Sequence, residues 1–282
     1  MTVLDRRLNA ARPDLADERL RGRVEAARFV AGRPAVVSVP VADIRTAPAP
    51  EAGLDSQLLL GDGVAVFDEG DGWAWIQSAR DGYVGYVRAD ALAASGPAVT
   101  HRVAAPRSFV YSRDDLKAPR VGTLSLGCGV AVSGHAERRG TRYALLTGGG
   151  AMIAAHLLPA GEHAPDYVAV AEALEHTPYL WGGTSGFGID CSGLVQLSMR
   201  MAGRAVPRDT DMQENAFAPV DPAAGLRRGD LVFWKGHVAV MLDRAEVIHA
   251  NGHTMLTTRE PLAAAVARTA PVHGAPTSYR RP

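Results

Sequence analysis

Cys191 directly follows Asp190 in Asp190-Cys191-Ser192-Gly193-Leu194-Val195-Gln196, and two of the histidines after it complete a candidate site: His237 46 residues later and His249 a further 12. A thiol and two imidazoles can perform nucleophilic catalysis. The thiolate attacks, one imidazole takes up and returns the proton, and a further polar group sets which ring nitrogen faces the sulfur. Cys191 is therefore expected as nucleophile, His237 as general base and acid, and His249 as the orienting group. A thiol is mostly protonated at neutral pH, so a helix N-terminus and a cationic histidine are expected to lower its pKa. The amides of Cys191 and Ser192 are candidates for an oxyanion hole, because helix-start N–H groups lack intrahelical partners. Taken singly, each residue has a plainer reading: a buried cysteine is usually an inert small hydrophobe and a strand histidine a satisfied one. Zinc on the same three side chains ranks second, for want of close ligand pairs and a fourth ligand. No metal and no cofactor is expected.

The elements that would position these groups are legible. Asp190 is a good N-cap, and Leu194, Val195, Leu197, Met199, Met201 and Ala202 form a broadly apolar helix that Gly203 can end. Cys191 then sits in the first turn. From Leu231 the period becomes two, with strands predicted at Leu231 to Trp234, His237 to Leu242 and Glu246 to Ala250 and turns at Lys235-Gly236 and Asp243-Arg244. The second reversal brings His249 to within a residue or two of lying opposite His237, so the rings can meet across neighbouring strands. An earlier helix is predicted from Tyr167, interrupted by Pro178. Trp181 is either core or a wall of a substrate groove, and Gly182-Gly183 a turn or part of that groove.

Upstream, Leu60-Gly61-Asp62-Gly63-Val64-Ala65-Val66 returns 66 residues later as Leu126-Gly127-Cys128-Gly129-Val130-Ala131-Val132. Each copy lies among short strands and Gly-rich turns, the pattern of small β-barrels. The expected divisions are a charged helical segment over 1–30, β domains over 31–96 and 97–160, and an α+β domain over 161–282. The end of that last domain, Pro271 to Pro282, is expected to be extended and surface-lying. Thirty basic and 30 acidic residues give a formal charge of +0, leaving no basic field for nucleic acid or an anionic bilayer. No run is long enough to span a membrane, and Met1 to Arg28 lacks an apolar signal-peptide core, so a cytoplasmic monomer is expected. Cys128 and Cys191 are read as free thiols, Cys128 without a function.

Six motifs in order are Thr177-Pro178-Tyr179-Leu180-Trp181-Gly182-Gly183, Asp190-Cys191-Ser192-Gly193, Pro207-Arg208-Asp209, Arg228-Gly229-Asp230-Leu231-Val232-Phe233, Gly236-His237-Val238-Ala239 and Ile248-His249-Ala250. Over residues 165–260 they resemble the NlpC/P60 family of cell-wall cysteine peptidases. Both upstream copies resemble bacterial SH3-like domains, through Leu-Gly-x-Gly-Val-Ala-Val and, in the first, Asp81-Gly82-Tyr83-Val84-Gly85-Tyr86-Val87. The resemblance implies a papain-like catalytic domain preceded by two SH3-like barrels, with a Cys-His-His site on Cys191, His237 and His249. The arrangement is similar to the γ-D-glutamyl-L-diamino-acid endopeptidases that recycle murein peptides. It implies cleavage after L-Ala-γ-D-Glu in a murein-derived peptide with a free N-terminal amine. Implied substrate contacts are Asp190 and Tyr83 for the ammonium, Ser192 for the D-Glu carboxylate, and Trp181. Asp62 stands where relatives carry a Glu, and Thr210 where a serine follows Pro-Arg-Asp. Against these, an N-cap role for Asp190 and strand packing for Tyr83 are equally ordinary. Two alternatives stay open: a secreted hydrolase of intact murein, and a catalytically silent peptide-binding module.

Overall fold

A computed structural model describes residues 4–282; Met1, Thr2 and Val3, where the expected N-terminal helix begins, lie outside the described residues. The chain divides into two compact units, Met1–Gly161 and Glu162–Pro282. No helix among the described residues is long and apolar enough to cross a membrane.

The first unit begins with a parallel pair, β1 (Leu15–Asp17) and β2 (Arg28–Val30), separated by a 3₁₀ turn at Glu18–Leu20. This corrects the helix expected over 1–30. Pro13 interrupts helical hydrogen bonding, and the segment finds better partners on the adjoining sheet. The Val84 N–H donates to the Arg7 carbonyl, Gln77 Nε2 donates to the Leu8 carbonyl, and Arg12 pairs with Asp68 at 2.6 Å over the Trp75 ring. Ala10 and Leu15 pack with Phe67 and Trp75. Mixed charge along the segment thus reflects attachment to a β surface.

A seven-stranded sheet follows, of β3 (Arg33–Val37), β4 (Val41–Arg45), β5 (Leu54–Leu59), β6 (Gly63–Gly70), β7 (Trp73–Ser78), β8 (Val84–Arg88) and β9 (Leu92–Ala93), in the order β5-β4-β8-β7-β6-β3-β9. Alternate residues such as Val37, Ile44, Val64, Val66 and Ile76 point into one core, as a two-residue period requires. β10 (His101–Val103), β11 (Arg107–Tyr111), β12 (Arg120–Ser125), β13 (Gly129–Val130), β14 (Val132–Arg138), β15 (Thr141–Leu146), β16 (Ala151–Ile153) and β17 (Leu157–Pro159) repeat that order as β12-β11-β16-β15-β14 and β13-β10-β17. The duplication extends to irregularities. Register shifts at Ile44/Arg45 and Val66/Asp68 recur at Val110/Tyr111 and Val132/Gly134, 66 residues on in each case. Gly61 and Gly127 both take positive φ, 82° and 84°, and donate to Val37 and Val103 carbonyls.

Two substrate-contact expectations find structural roles here. The Asp62 carboxylate accepts from the Leu59 N–H at 2.9 Å and lies 3.3 Å from Arg80, holding the turn between β5 and β6. Tyr83 is 4% exposed and packs in the core of the seven-stranded sheet. At the turn equivalent to Asp62, the Cys128 thiol donates to the Pro40 carbonyl at 3.2 Å.

In the second unit, α1 (Tyr167–Ala173) packs on α2 (Cys191–Met201), and a short hairpin, β18 (Thr184–Ser185) and β19 (Gly188–Ile189), precedes α2. α3 (Thr210–Ala216) leads into a six-stranded sheet. Its strands are β20 (Ala218–Pro219), β21 (Leu231–Trp234), β22 (His237–Met241), β23 (Glu246–Asn251), β24 (Leu256–Pro261) and β25 (Ser278–Arg281), with α4 (Leu262–His273) before the last. The spatial order is β20-β25-β21-β22-β23-β24. The predicted meander is therefore present. The C-terminal segment differs from expectation: Pro271 lies within α4, and β25 is an inner strand with Tyr279 opposite Val232 and Arg281 on Asp230 at 2.7 Å. The buried backbone groups of β21 need that strand as a partner.

Candidate active site

Asp190 caps α2 by accepting from the Gly193 N–H at 2.7 Å, and its other carboxylate oxygen accepts from the Gly182 N–H at 2.9 Å. The Trp181-Gly182-Gly183 turn is thereby fastened to the start of the helix. Only glycines permit this approach: a Cβ on Gly193 would lie 2.2 Å from the Gly183 carbonyl oxygen. Trp181 is 69% exposed, so it is not core.

Arg208 completes the cap. It is 1% exposed, meets Asp190 bidentately at 3.0 and 2.6 Å, and donates to Ser192 Oγ at 2.8 Å. Ser192 Oγ in turn donates to Asp190 at 3.3 Å. Breaking so buried a pair strands one charge in low dielectric, at a cost of about 3–5 kcal/mol. Asp190 is thus already the centre of a network, and a substrate ammonium there would share it with Arg208. Gln213, from α3, donates to the Ser192 and Pro207 carbonyls at 2.9 Å each and locks the segment carrying Arg208 to α2.

The Cys191 thiol lies against β22 and α3, where the Val238 N–H and the Thr210 hydroxyl donate to sulfur. Thr210 therefore belongs to the immediate surroundings of the Cys191 thiol. Burial pushes the thiol up to about 11, aided by the Asp190 charge and opposed by the Val238 N–H, Arg208 and Thr210. The Tyr179 phenol is pushed up to about 12 by burial, with Cys191 and Asp190 contributing, and stays a protonated donor.

His237 opens β22. The register Val240↔Ile248 sets His249 beside Ala239, two residues from His237 and hence on the same face. His237 Nε2 meets His249 Nδ1 at 2.8 Å, and His249 Nε2 meets Glu260 Oε1 at 2.7 Å. Glu260 stands on β24 two residues beyond Thr258, the partner of His249, so three neighbouring strands place His237, His249 and Glu260 along one diagonal. Arg268 from α4 donates to Glu260. The His249 and Arg268 hydrogen bonds hold the Glu260 carboxyl below the usual range. His237 is driven down to about 3 by burial first, then by His249, His273 and Arg268, with Glu260 opposing.

The expected thiolate–imidazolium pair is thus replaced at rest by a neutral thiol and a neutral imidazole. Desolvation outweighs the helix terminus here. Sequence reasoning missed Glu260 and left Arg208 without a role, although Arg208 lies in a motif already singled out. Both cysteines are free thiols.

Comparison with known proteins agrees with these observations. A model of the NlpC/P60 family matches residues 176–269, and one described as the bacterial dipeptidyl-peptidase Sh3 domain matches residues 44–92. A Lysinibacillus sphaericus protein named dipeptidyl-peptidase 6 is 38% identical over 92 residues, 32% of this chain and 34% of that protein. A Bacillus subtilis protein named gamma-D-glutamyl-L-lysine dipeptidyl-peptidase is 26% identical over 218 residues, 70% of this chain and 72% of that protein. A crystal structure of an NlpC/P60 family protein from Bacillus cereus superposes with TM-score 0.72 and 21% identity, over 88% of this chain and 99% of that one. That likeness is one of fold.

Proposed function

We propose, for a chain that carries an NlpC/P60 cysteine-peptidase domain after a bacterial SH3 domain, that it hydrolyses the bond between γ-D-Glu and the following diamino acid, meso-diaminopimelate or L-lysine, in murein peptides. The observation that carries this reading is the continuous line His237–His249–Glu260 together with a cysteine at a helix start whose sulfur accepts from the N–H of Val238, next to His237. In the proposed reaction His237 takes the Cys191 proton as sulfur attacks the γ-carbonyl carbon. The negative oxygen faces the N–H of Cys191, while Gly193 N–H remains on Asp190. Collapse of the intermediate expels the amine, protonated by His237, and leaves a thioester. A water that gives its proton to His237 then hydrolyses the thioester, releasing the carboxylic acid and restoring the thiol.

The finer reading is a recycling role in the cytoplasm on peptides with a free N-terminal L-Ala. Support comes from the relatives' printed names, since a dipeptidyl-peptidase counts two residues from a free amine. The 66-residue recurrence of register shifts supports reading the second β domain as SH3-like too. Asp190, Ser192 and Trp181 remain the proposed substrate contacts of the second unit.

Mass spectrometry of L-Ala-γ-D-Glu-diaminopimelate, its N-acetylated form and intact murein, with Cys191→Ala as control, tests this. Cleavage of the free tripeptide alone is expected. Cleavage of intact murein would move the function to a wall hydrolase. No cleavage of any substrate would overturn the peptidase reading in favour of a binding module.

A further inference from the structure

Behind the three residues assigned to chemistry stands a charged pair with no assigned role. Glu260 and Arg268 come from different elements, β24 and α4. Their side chains are 20% and 27% exposed, and surface ion pairs of that kind usually contribute little. This pair differs in one respect. The carboxylate also takes the outer nitrogen of His249, whose side chain is 1% exposed and whose other nitrogen faces His237.

Hydrogen-bond logic then runs inward from the carboxylate. An ionised carboxylate only accepts, so His249 carries its proton on Nε2. Neutral His249 therefore presents a bare Nδ1 to His237, and His237 must donate from Nε2 across the 2.8 Å contact. The only unprotonated nitrogen left on His237 is Nδ1. With Gln or a neutral acid at 260, His249 can turn its proton inward and leave His237 with the wrong nitrogen protonated.

We propose that Glu260, held by Arg268, is a positioning residue for the cysteine chemistry: it fixes the tautomer of His249 and thereby makes Nδ1 of His237 the proton acceptor for Cys191. This rests on the reading of Cys191, His237 and His249 given above. When His237 takes the thiol proton, the resulting imidazolium gains a counter-charge through the same line. Arg268 holds the carboxylate in place and partly offsets it. The charged and titratable groups bearing on Glu260 are His249 from β23 and Arg268 from α4; those bearing on His237 also include His273, whose ring stacks on it at 6.5 Å.

The test measures Cys191 alkylation by iodoacetamide against pH, resolved by peptide mapping, and kcat and KM on the free tripeptide, in the full chain. Glu260→Gln is expected to slow alkylation at pH 7.5 by about 10- to 100-fold, the usual range for removing an orienting partner. Its alkylation near pH 11, where hydroxide makes the thiolate, should be unchanged. kcat should fall by a similar factor with little change in KM, and Glu260→Asp should recover part of it. Glu260 raises and Arg268 lowers the His237 pKa, so the acid limb should move to lower pH in Glu260→Gln and higher pH in Arg268→Gln. A merely structural pair would leave the pH 7.5 alkylation rate and kcat of a folded Glu260→Gln unchanged. A folded Glu260→Gln with the wild-type alkylation profile overturns the proposal. If Glu260→Gln does not fold, Arg268→Gln decides: an unshifted acid limb of alkylation overturns it. If the wild-type protein cleaves no peptide while the alkylation shifts appear, the substrate reading fails and the positioning role stands.

Discussion

Cys191 and His237 are both held neutral by burial, and this has two measurable consequences. Alkylation of Cys191 should climb with pH toward its value of about 11, without the flat plateau reaching far into acid that a preformed ion pair gives. Cys128, 0% exposed, should stay unlabelled until the protein unfolds. Stability should also depend on His237. Its folded-state value of about 3 lies below the ordinary 6.5, so below pH 6.5 the unfolded chain binds a proton that the folded chain refuses. Its stabilising contribution is complete above pH 6.5 and declines as pH falls toward 3, by at most about 1.4 kcal/mol per unit. Urea midpoints should therefore fall more steeply with acid in the wild type than in His237→Gln. Arg208→Leu should lose on the order of 3–5 kcal/mol in the same assay, because Asp190 is left charged and buried. A change near zero would refute the buried-pair account of Asp190 and Arg208. The placement of Cys191 at a helix start and of both histidines on facing strands was legible because motif order and spacing single them out. Their protonation states were not, because desolvation is set by what the fold packs around them. Glu260 was invisible because nothing in Arg259-Glu260-Pro261 marks it before β24 is placed beside His249.

Among the elements, α2 and the hairpin before it show how a loop becomes part of a site. Asp190, Cys191 and the strands of the meander fall where N-cap chemistry and a two-residue period place them. What local pattern does not reveal is the seating of the Gly182-Gly183 turn on the helix. Gly193→Ala should dislodge it, since the added carbon would stand 2.2 Å from a backbone oxygen that cannot yield without moving the hairpin. A loss of at least about 1–3 kcal/mol is expected, with a drop in Cys191 alkylation near pH 11 as the helix start shifts. Gly134→Ala, where a Cβ meets nothing within 4 Å, is the control and should leave both unchanged. The helix α4 was missed for a different reason. Its Ala-rich sequence favours a helix, but Pro271 near its end and the following Gly274 and Pro276 read as an extended tail.

At the scale of the whole molecule, the repeat was legible in seven residues and the structure extends it to strand order, register shifts and turn conformations. The N-terminal segment was misread because its apolar residues, Ala10, Leu15, Ala16 and Leu20, are few and widely spaced, and serve attachment to a sheet. That attachment has a practical outcome. Residues 4–30 contain seven arginines, six of them sites for trypsin because Pro13 protects the bond after Arg12, in a stretch whose composition resembles a loose tail. Because the stretch is pinned by Leu8, Arg12 and Leu15, a protease must wait for it to peel away from the barrel. Native protein should therefore resist tryptic trimming at its amino end, and Leu15→Asp should turn those six arginines into early cleavage points.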